Sequence, residues 1–322
     1  MQKTNSDGTI YAADKVGFGI YHFAQGGMDA RRVADSETFA LDGGDRAQCD
    51  RQEQLDYMNF YIYRLDRSCY SHLARIKEMG CGTWVFYEPF VSVEINGQRK
   101  VHLRAGWREE ITKLVDDVKK AGLWDAVIGF QYDEPLLKVE TDVFEEFTGF
   151  MAGFGKRQLA IFSLYEIVEG SNPKAGDPEY GALVHLVTPE SCRWLTDVGF
   201  DWYDKPNPEK FRNMNDVMFK MLGRDNLYLW MVPTTWTRGE NPAYTEDLCI
   251  ESLEMCKDIL LESKYPGGLF CYTWRSWGIH NEALDYHFHT ANRNRWERLE
   301  NKMIETGREL REITLKPLPE KP

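Results

Sequence analysis

Ala126-Val127-Ile128-Gly129-Phe130-Gln131-Tyr132, followed at once by Asp133-Glu134-Pro135, reads as a strand that is apolar along nearly its whole length and is then halted. A strand needs apolar residues on both sides of its two-residue period when both of its faces are covered. Proline cannot donate to a strand ladder, so Pro135 marks the stop. Just upstream, Ile111, Leu114, Val115 and Val118 recur at helical spacing within 107–121, and Gly122 ends that helix. Helix, buried strand and stop in succession suggest one unit of a repeating βα chain.

Moving outward, the same alternation recurs. Short apolar or aromatic runs at 16–23, 83–87, 159–165, 200–203, 227–232 and 268–274 read as further strands. Pro208 opens a helix with Phe211, Met214, Met218 and Met221 on one face and Gly223 after it. Thr245 caps another that turns Cys249, Leu253, Cys256 and Leu260 inward. Strand, helix, strand repeated this way implies parallel strands joined by crossovers. The fold class expected is α/β: a (β/α)₈ TIM barrel with elaborated loops on its C-terminal face, with an open doubly wound sheet as the alternative. No G-x-G-x-x-G follows the first strand, which weakens a dinucleotide-binding unit.

The run with the first strand included gives seven strands, and 182–187 is the candidate for an eighth. Polar, Gly-rich 25–50 and Pro/Gly-rich 170–180 read as long loops, and 91–103 reads as a hairpin turning at Asn96-Gly97. The 322 residues are expected to form one barrel domain, with 1–10 and 316–322 flexible.

Composition narrows the partners. With 43% hydrophobic residues a large core can form, and no apolar run is long enough to cross a bilayer. A formal charge of −12 without a basic cluster argues against nucleic acid. The seven cysteines contain no C-x-x-C pair, so no zinc ribbon or thioredoxin-like site is expected, and free thiols favour a reducing, cytoplasmic setting. Oligomeric state cannot be read from the sequence.

The chemistry gathers at the strand ends. Tyr87-Glu88-Pro89, Tyr132-Asp133-Glu134-Pro135, Tyr165-Glu166 and Tyr203-Asp204-Lys205-Pro206 each place an acid after a tyrosine. In a barrel these ends meet at one mouth, where carboxylates raise one another's pKa and so suit proton transfer. Any single acid of this kind also suits a helix cap or a solvated turn.

The stretch 127–135 resembles the fourth-strand motif of barrel glycoside hydrolases, and the adjacent Asp133-Glu134 is similar to the pair in β-N-acetylhexosaminidases that work by substrate assistance. The resemblance implies Glu134 as general acid/base and Asp133 as the residue steering the substrate's acetamido group. It also implies an oligosaccharide or glycoside substrate and no cofactor. Phe200-Asp201-Trp202-Tyr203-Asp204 and Gly267-Gly268-Leu269-Phe270-Cys271-Tyr272-Thr273-Trp274 resemble later strands of such barrels, where a Tyr meets the acetamido oxygen and a Trp floors the sugar pocket. The strand 227–232 departs from the two-carboxylate retaining pattern: it runs into Pro233-Thr234-Thr235-Trp236 with no Glu. That suits substrate assistance, or inversion with Glu88, Glu166 or Asp204 as base.

Candidate substrate contacts are therefore Tyr203, Asp204, Trp274, Trp236, Glu88, Tyr87 and Glu166, together with His22 at the end of the first strand and Arg275 as an anion partner. Trp230 alternates inward and reads as core. His287 and His289, two apart on an expected helix, cannot share a metal, and no H-E-x-x-H occurs. Two other readings stay open: a metal-dependent sugar isomerase or epimerase, and a non-catalytic carbohydrate-binding barrel.

Overall fold

The computed structural model describes residues 14–20, 58–66, 69–78, 80–95, 98–168, 185–201, 205–235, 237–238, 245–271, 286–287 and 297–319. Eight strands close a parallel barrel: β1 (Gly17–Ile20), β2 (Phe60–Arg64), β3 (Gly82–Phe86), β4 (Val127–Asp133), β5 (Arg157–Ser163), β6 (Asp197–Asp201), β7 (Tyr228–Val232) and β8 (Pro266–Cys271). Each pairs with the next, and β8 pairs with β1 to close the ring. Around and between them run α1 (Tyr70–Glu78), α2 (Trp107–Lys120), α3 (Pro135–Lys138), α4 (Thr141–Ala152), α5 (Leu164–Ile167), α6 (Pro208–Leu222), α7 (Glu246–Glu262) and α8 (Glu297–Leu310). The chain is a (β/α)₈ TIM barrel.

The period-2 alternation of each strand builds two cores. Phe60, Ile62, Trp84, Ile161, Trp230 and Phe270 fill the barrel interior. Phe18, Val85, Phe130, Tyr132, Phe162 and Leu269 face the helices. The interior is crowded with rings: Trp230 stacks on Phe270 at 4.5 Å and meets Trp84 edge-on at 5.5 Å. A Cβ at Gly17 or Gly268 would collide with the Trp230 ring, so only glycine lets those strands pass the indole. Burying each such ring contributes on the order of 2–3 kcal/mol.

Helix signals read from sequence recur in the structure. The Asn207 side chain accepts from the Lys210 amide at 3.0 Å, Pro208 occupies the first turn of α6, and Gly223 ends it with φ 65°. Thr245 caps α7 by accepting from the Leu248 amide. The hairpin after β3 pairs Phe90–Ile95 with Gln98–Leu103, and Ile95 opposite Gln98 leaves a two-residue connection.

Three expectations are corrected. The eighth strand is Phe60–Arg64, whereas the described part of 182–187 is not strand. Its aromatic residues pair with both β1 and β3, and that bond partnership is what makes it part of the ring. His287 lies in a two-residue strand, Tyr286–His287, paired with Thr237–Arg238, and not in a helix. The tail expected to fray from residue 316 is docked at the N-terminal end of the barrel as far as Leu318. There the Tyr228 hydroxyl donates to the Lys316 carbonyl at 2.8 Å, and Leu315 and Leu318 pack on the interior core. Among the described residues no helix is long and apolar enough to cross a membrane. The six described cysteines are buried and free.

Candidate active site

The C-terminal ends of β3, β4 and β5 bring the predicted acids near one another. On β4, Phe130 and Tyr132 belong to the helix-facing core, so alternation turns Gln131 and Asp133 toward the barrel axis. The Glu134 amide continues the ladder by donating to the Ile161 carbonyl at 2.8 Å, and Pro135 begins α3 immediately afterwards. The chain must therefore turn at Glu134 itself, while the proline behind it disfavours the right-handed helical region. Glu134 adopts φ 43°, ψ 52°, and it is the single non-glycine residue with positive φ among the described residues. That conformation costs about 1–2 kcal/mol for a residue with a side chain, and such strain gathers at functional sites.

A cation that sequence reasoning passed over organises the carboxylates. Lys138, at the end of α3, places its Nζ 3.3 Å from Glu88 Oε1 and 3.6 Å from Asp133 Oδ2. The two acids on one ammonium are thus no more than about 7 Å apart. Burial works against the Lys138 charge, but Asp133, Glu88 and Glu134 together outweigh it and hold the ammonium above its ordinary value. Glu88 is 45 or more residues from the other two acids in sequence, so no local motif could have announced the shared lysine.

Glu166 behaves differently from the other predicted acids. It is fully buried. Its Oε2 accepts from the Ser163 amide at 2.6 Å in a capping box at the start of α5, and its Oε1 accepts from the Leu136 amide in α3. Burial pushes its carboxyl up to about 8; the Ser163 and Leu136 amides pull down, and the nearby Glu134 charge pushes up. It therefore sits beneath the mouth and joins the β4 corner to the β5 corner.

Two of the tyrosines expected to ring the mouth, Tyr87 and Tyr132, point the other way. Tyr132 packs edge-on against Phe144 and Phe147 of α4, and its hydroxyl donates to Gln158 Oε1 at 2.7 Å. Tyr87 is buried too, in the same helix-facing core, and its hydroxyl donates to the Trp107 carbonyl while accepting from Arg104. A residue that follows an inward one along a strand faces outward, which explains both. Arg64, Tyr87, Glu88 and Arg104 line a cleft of about 570 Å³ between the ends of β2 and β3 and α2. This cleft does not reach Asp133 or Glu134 and meets the carboxylate group through Glu88.

Beyond β7, Thr234 and Thr235 are buried, and the Thr234 amide donates to Ser252 Oγ, so no carboxylate stands at that described strand end. Asp201, the last residue of β6, lies opposite Ser163 and Val232 in the ladder and is buried. Its place at a strand terminus was hidden because the Tyr-acid pattern pointed three residues further on. His22, Tyr203, Asp204, Trp236, Trp274 and Arg275 lie outside the described residues. Among the described residues, no group of three or more His, Cys, Asp and Glu is arranged to hold a metal ion.

No family model and no curated protein matches the chain. Solved structures resemble it in fold. A fungal β-1,4-galactanase structure aligns with TM-score 0.50 and 12% identity over 79% of this chain and 89% of its own. A GH113 β-1,4-mannanase aligns with TM-score 0.51 and 10% identity over 89% and 99%. Bacteroides uniformis β-glucuronidase 2 aligns with TM-score 0.51 and 11% identity over 90% of this chain but 34% of that one.

Proposed function

We propose that the chain is a glycoside hydrolase that cleaves an oligosaccharide or glycoside, with Glu134 as general acid/base and Asp133 beside it. The observation that carries this reading is the Asp133-Glu134 corner. It ends the fourth barrel strand, holds Glu134 in a strained left-handed turn, and shares Lys138 with Glu88. A barrel of this kind presents its chemistry at strand C-termini. The galactanase, mannanase and glucuronidase named above are proteins of similar fold whose names denote cleavage of sugars.

The finer reading is retention by substrate assistance on an N-acetylhexosamine-containing glycan. Asp133 orients the acetamido group, whose carbonyl oxygen attacks the anomeric carbon, while Glu134 protonates the leaving oxygen and later takes a proton from water. The buried threonines that follow β7 support this, because the protein offers no nucleophilic carboxylate there among the described residues. Glu88, Tyr203, Asp204, Trp236, Trp274, His22 and Arg275 remain candidate substrate contacts around the same mouth, whereas Tyr87 turns toward the helices. Glu166 supports the corner from below.

The test is hydrolysis of a panel of aryl glycosides, with and without a 2-acetamido group and with and without chelator. The expected result is cleavage of acetamido substrates, insensitive to chelator, that Glu134→Gln abolishes. No cleavage of any glycoside, together with chelator-sensitive interconversion of free sugars, would favour the isomerase or epimerase reading, and binding without turnover the carbohydrate-binding one. The shared Lys138 also brings Glu88 within reach of a second reading, inversion with Glu88 as base. The anomer released first, followed by proton NMR, separates the two.

A further inference from the structure

We propose that Glu166 is a positioning residue for the acid/base: from beneath the mouth it holds, through the Leu136 amide, the turn that aims Glu134. This rests on the reading of Glu134 given above and adds a residue that acts through it without touching substrate.

Three connections meet at Glu166. Its Oε1 accepts from Leu136, two residues past the left-handed Glu134. Its Oε2 accepts from Ser163, the last residue of the neighbouring strand. Its own carbonyl accepts from the Val187 amide at 2.9 Å, and the His185 amide donates to the Leu136 carbonyl at 3.3 Å. The segment at 185–187 therefore grips both corners from the far side. A strained backbone persists only where its surroundings over-determine it, and here one carboxyl group ties the Glu134 corner, through Leu136, to the end of the neighbouring strand, through Ser163. Leu136 itself is buried, so no water can replace the lost acceptor at its amide.

The electrostatics fit the same role. The titratable groups facing Glu166 are Glu134 from the β4 corner, Lys138 from α3 and the Cys192 thiol, kept neutral by burial, from the turn that follows 187. Burial raises its carboxyl to about 8, so it changes charge within an accessible range. An ionised carboxylate is a stronger acceptor than an acid. The two amide protons it binds therefore report its state directly.

Two measurements test this. Glu166→Gln leaves one amide facing an NH₂ group in place of an acceptor. The expected result is a kcat about 10- to 100-fold lower with KM within about twofold, as for a catalytic group displaced by a fraction of an ångström. A folded Glu166→Gln protein with wild-type kcat would overturn the proposal. Should that variant not fold, the wild-type protein gives the answer by NMR. The Leu136 and Ser163 amide resonances should shift together with a midpoint near pH 8. Resonances that stay fixed between about pH 6 and 9.5, or move independently, overturn it. Retained activity in Glu134→Gln would instead sink the acid/base assignment, and the amide titration would be unaffected by that failure.

Discussion

The two ends of this barrel both carry buried or half-buried charge, and they use it in opposite ways. At the N-terminal end, Arg157 and Asp197 form a two-pronged pair inside the ring, and Asp197 is fully buried. The Trp230 indole and Thr196 hydroxyl complete the carboxylate's partners at 2.8 and 2.7 Å, while the guanidinium lies 4.3 Å from the Tyr228 ring centre. One cation meets one anion, and every carboxylate oxygen is engaged. At the C-terminal end, the Lys138 ammonium pairs with both Asp133 and Glu88 and feels Glu134 as well, and the Lys138, Glu88 and Asp133 side chains stay about one-third exposed. A carboxylate whose oxygens are all engaged by the protein has no lone pair left to give a substrate. A partly solvated group in which several acids share one ammonium can exchange protons with a substrate, which is the condition for acid–base chemistry.

Four experiments break or sharpen that contrast, the largest effect first. Glu134→Gln should lower kcat/KM by about 10²- to 10⁴-fold while the denaturation midpoint stays put. An equal loss of stability and activity would make Glu134 a structural acid like Asp197. Asp197→Ala should do the reverse, costing up to about 3–5 kcal/mol in chemical denaturation because it leaves a mostly buried guanidinium without its carboxylate. A loss under about 1 kcal/mol would show the lower pair to be solvated.

Third comes the pH dependence of stability through Glu166. Its carboxyl keeps a proton up to about pH 8 in the folded chain but only to about 4.5 when unfolded. Its contribution to stability is therefore complete below about pH 4.5 and is lost as the pH rises through about 8. Glu166→Gln should remove that part of the alkaline slope in unfolding free energies measured from pH 5 to 9, and an unchanged slope would place the titration elsewhere. The smallest effect of the four belongs to Lys138→Met. An ion pair this exposed contributes about 0–1 kcal/mol, so stability should barely move. Activity should change more than stability, through the altered charge beside Asp133 and Glu88; a stability loss above about 2 kcal/mol would show that the mouth is held together by its lysine.

Much of the scaffold was legible in one dimension. The β4 run, the Asn96-Gly97 hairpin, the Pro208 and Thr245 helix starts and the inward Trp230 all follow from local rules of period, capping and turn chemistry. The strand at 60–64 was missed because Tyr61 and Tyr63 look like any aromatic-rich segment until β1 and β3 are placed on either side. Tyr87 and Tyr132 emerge on the helix-facing side for a related reason: an ending motif does not say on which side of the ring a residue emerges. Tyr132 went to α4 because the bulge-free upper half of β4 turns Asp133 inward.

By itself, the amino-acid order determined the β4 run with its stop at Pro135, the starts of α6 and α7, and that Asp133 and Glu134 share one strand end, since backbone sterics and side-chain periodicity act between near neighbours. The folded ring alone decided that Lys138 joins Asp133 to Glu88, that Glu166 lies buried under the corner, and that Asp197 pairs with Arg157. Those partnerships link residues 5 to 50 apart in the chain, and a charge or hydrogen bond acts only over the few ångströms that closure of the barrel creates.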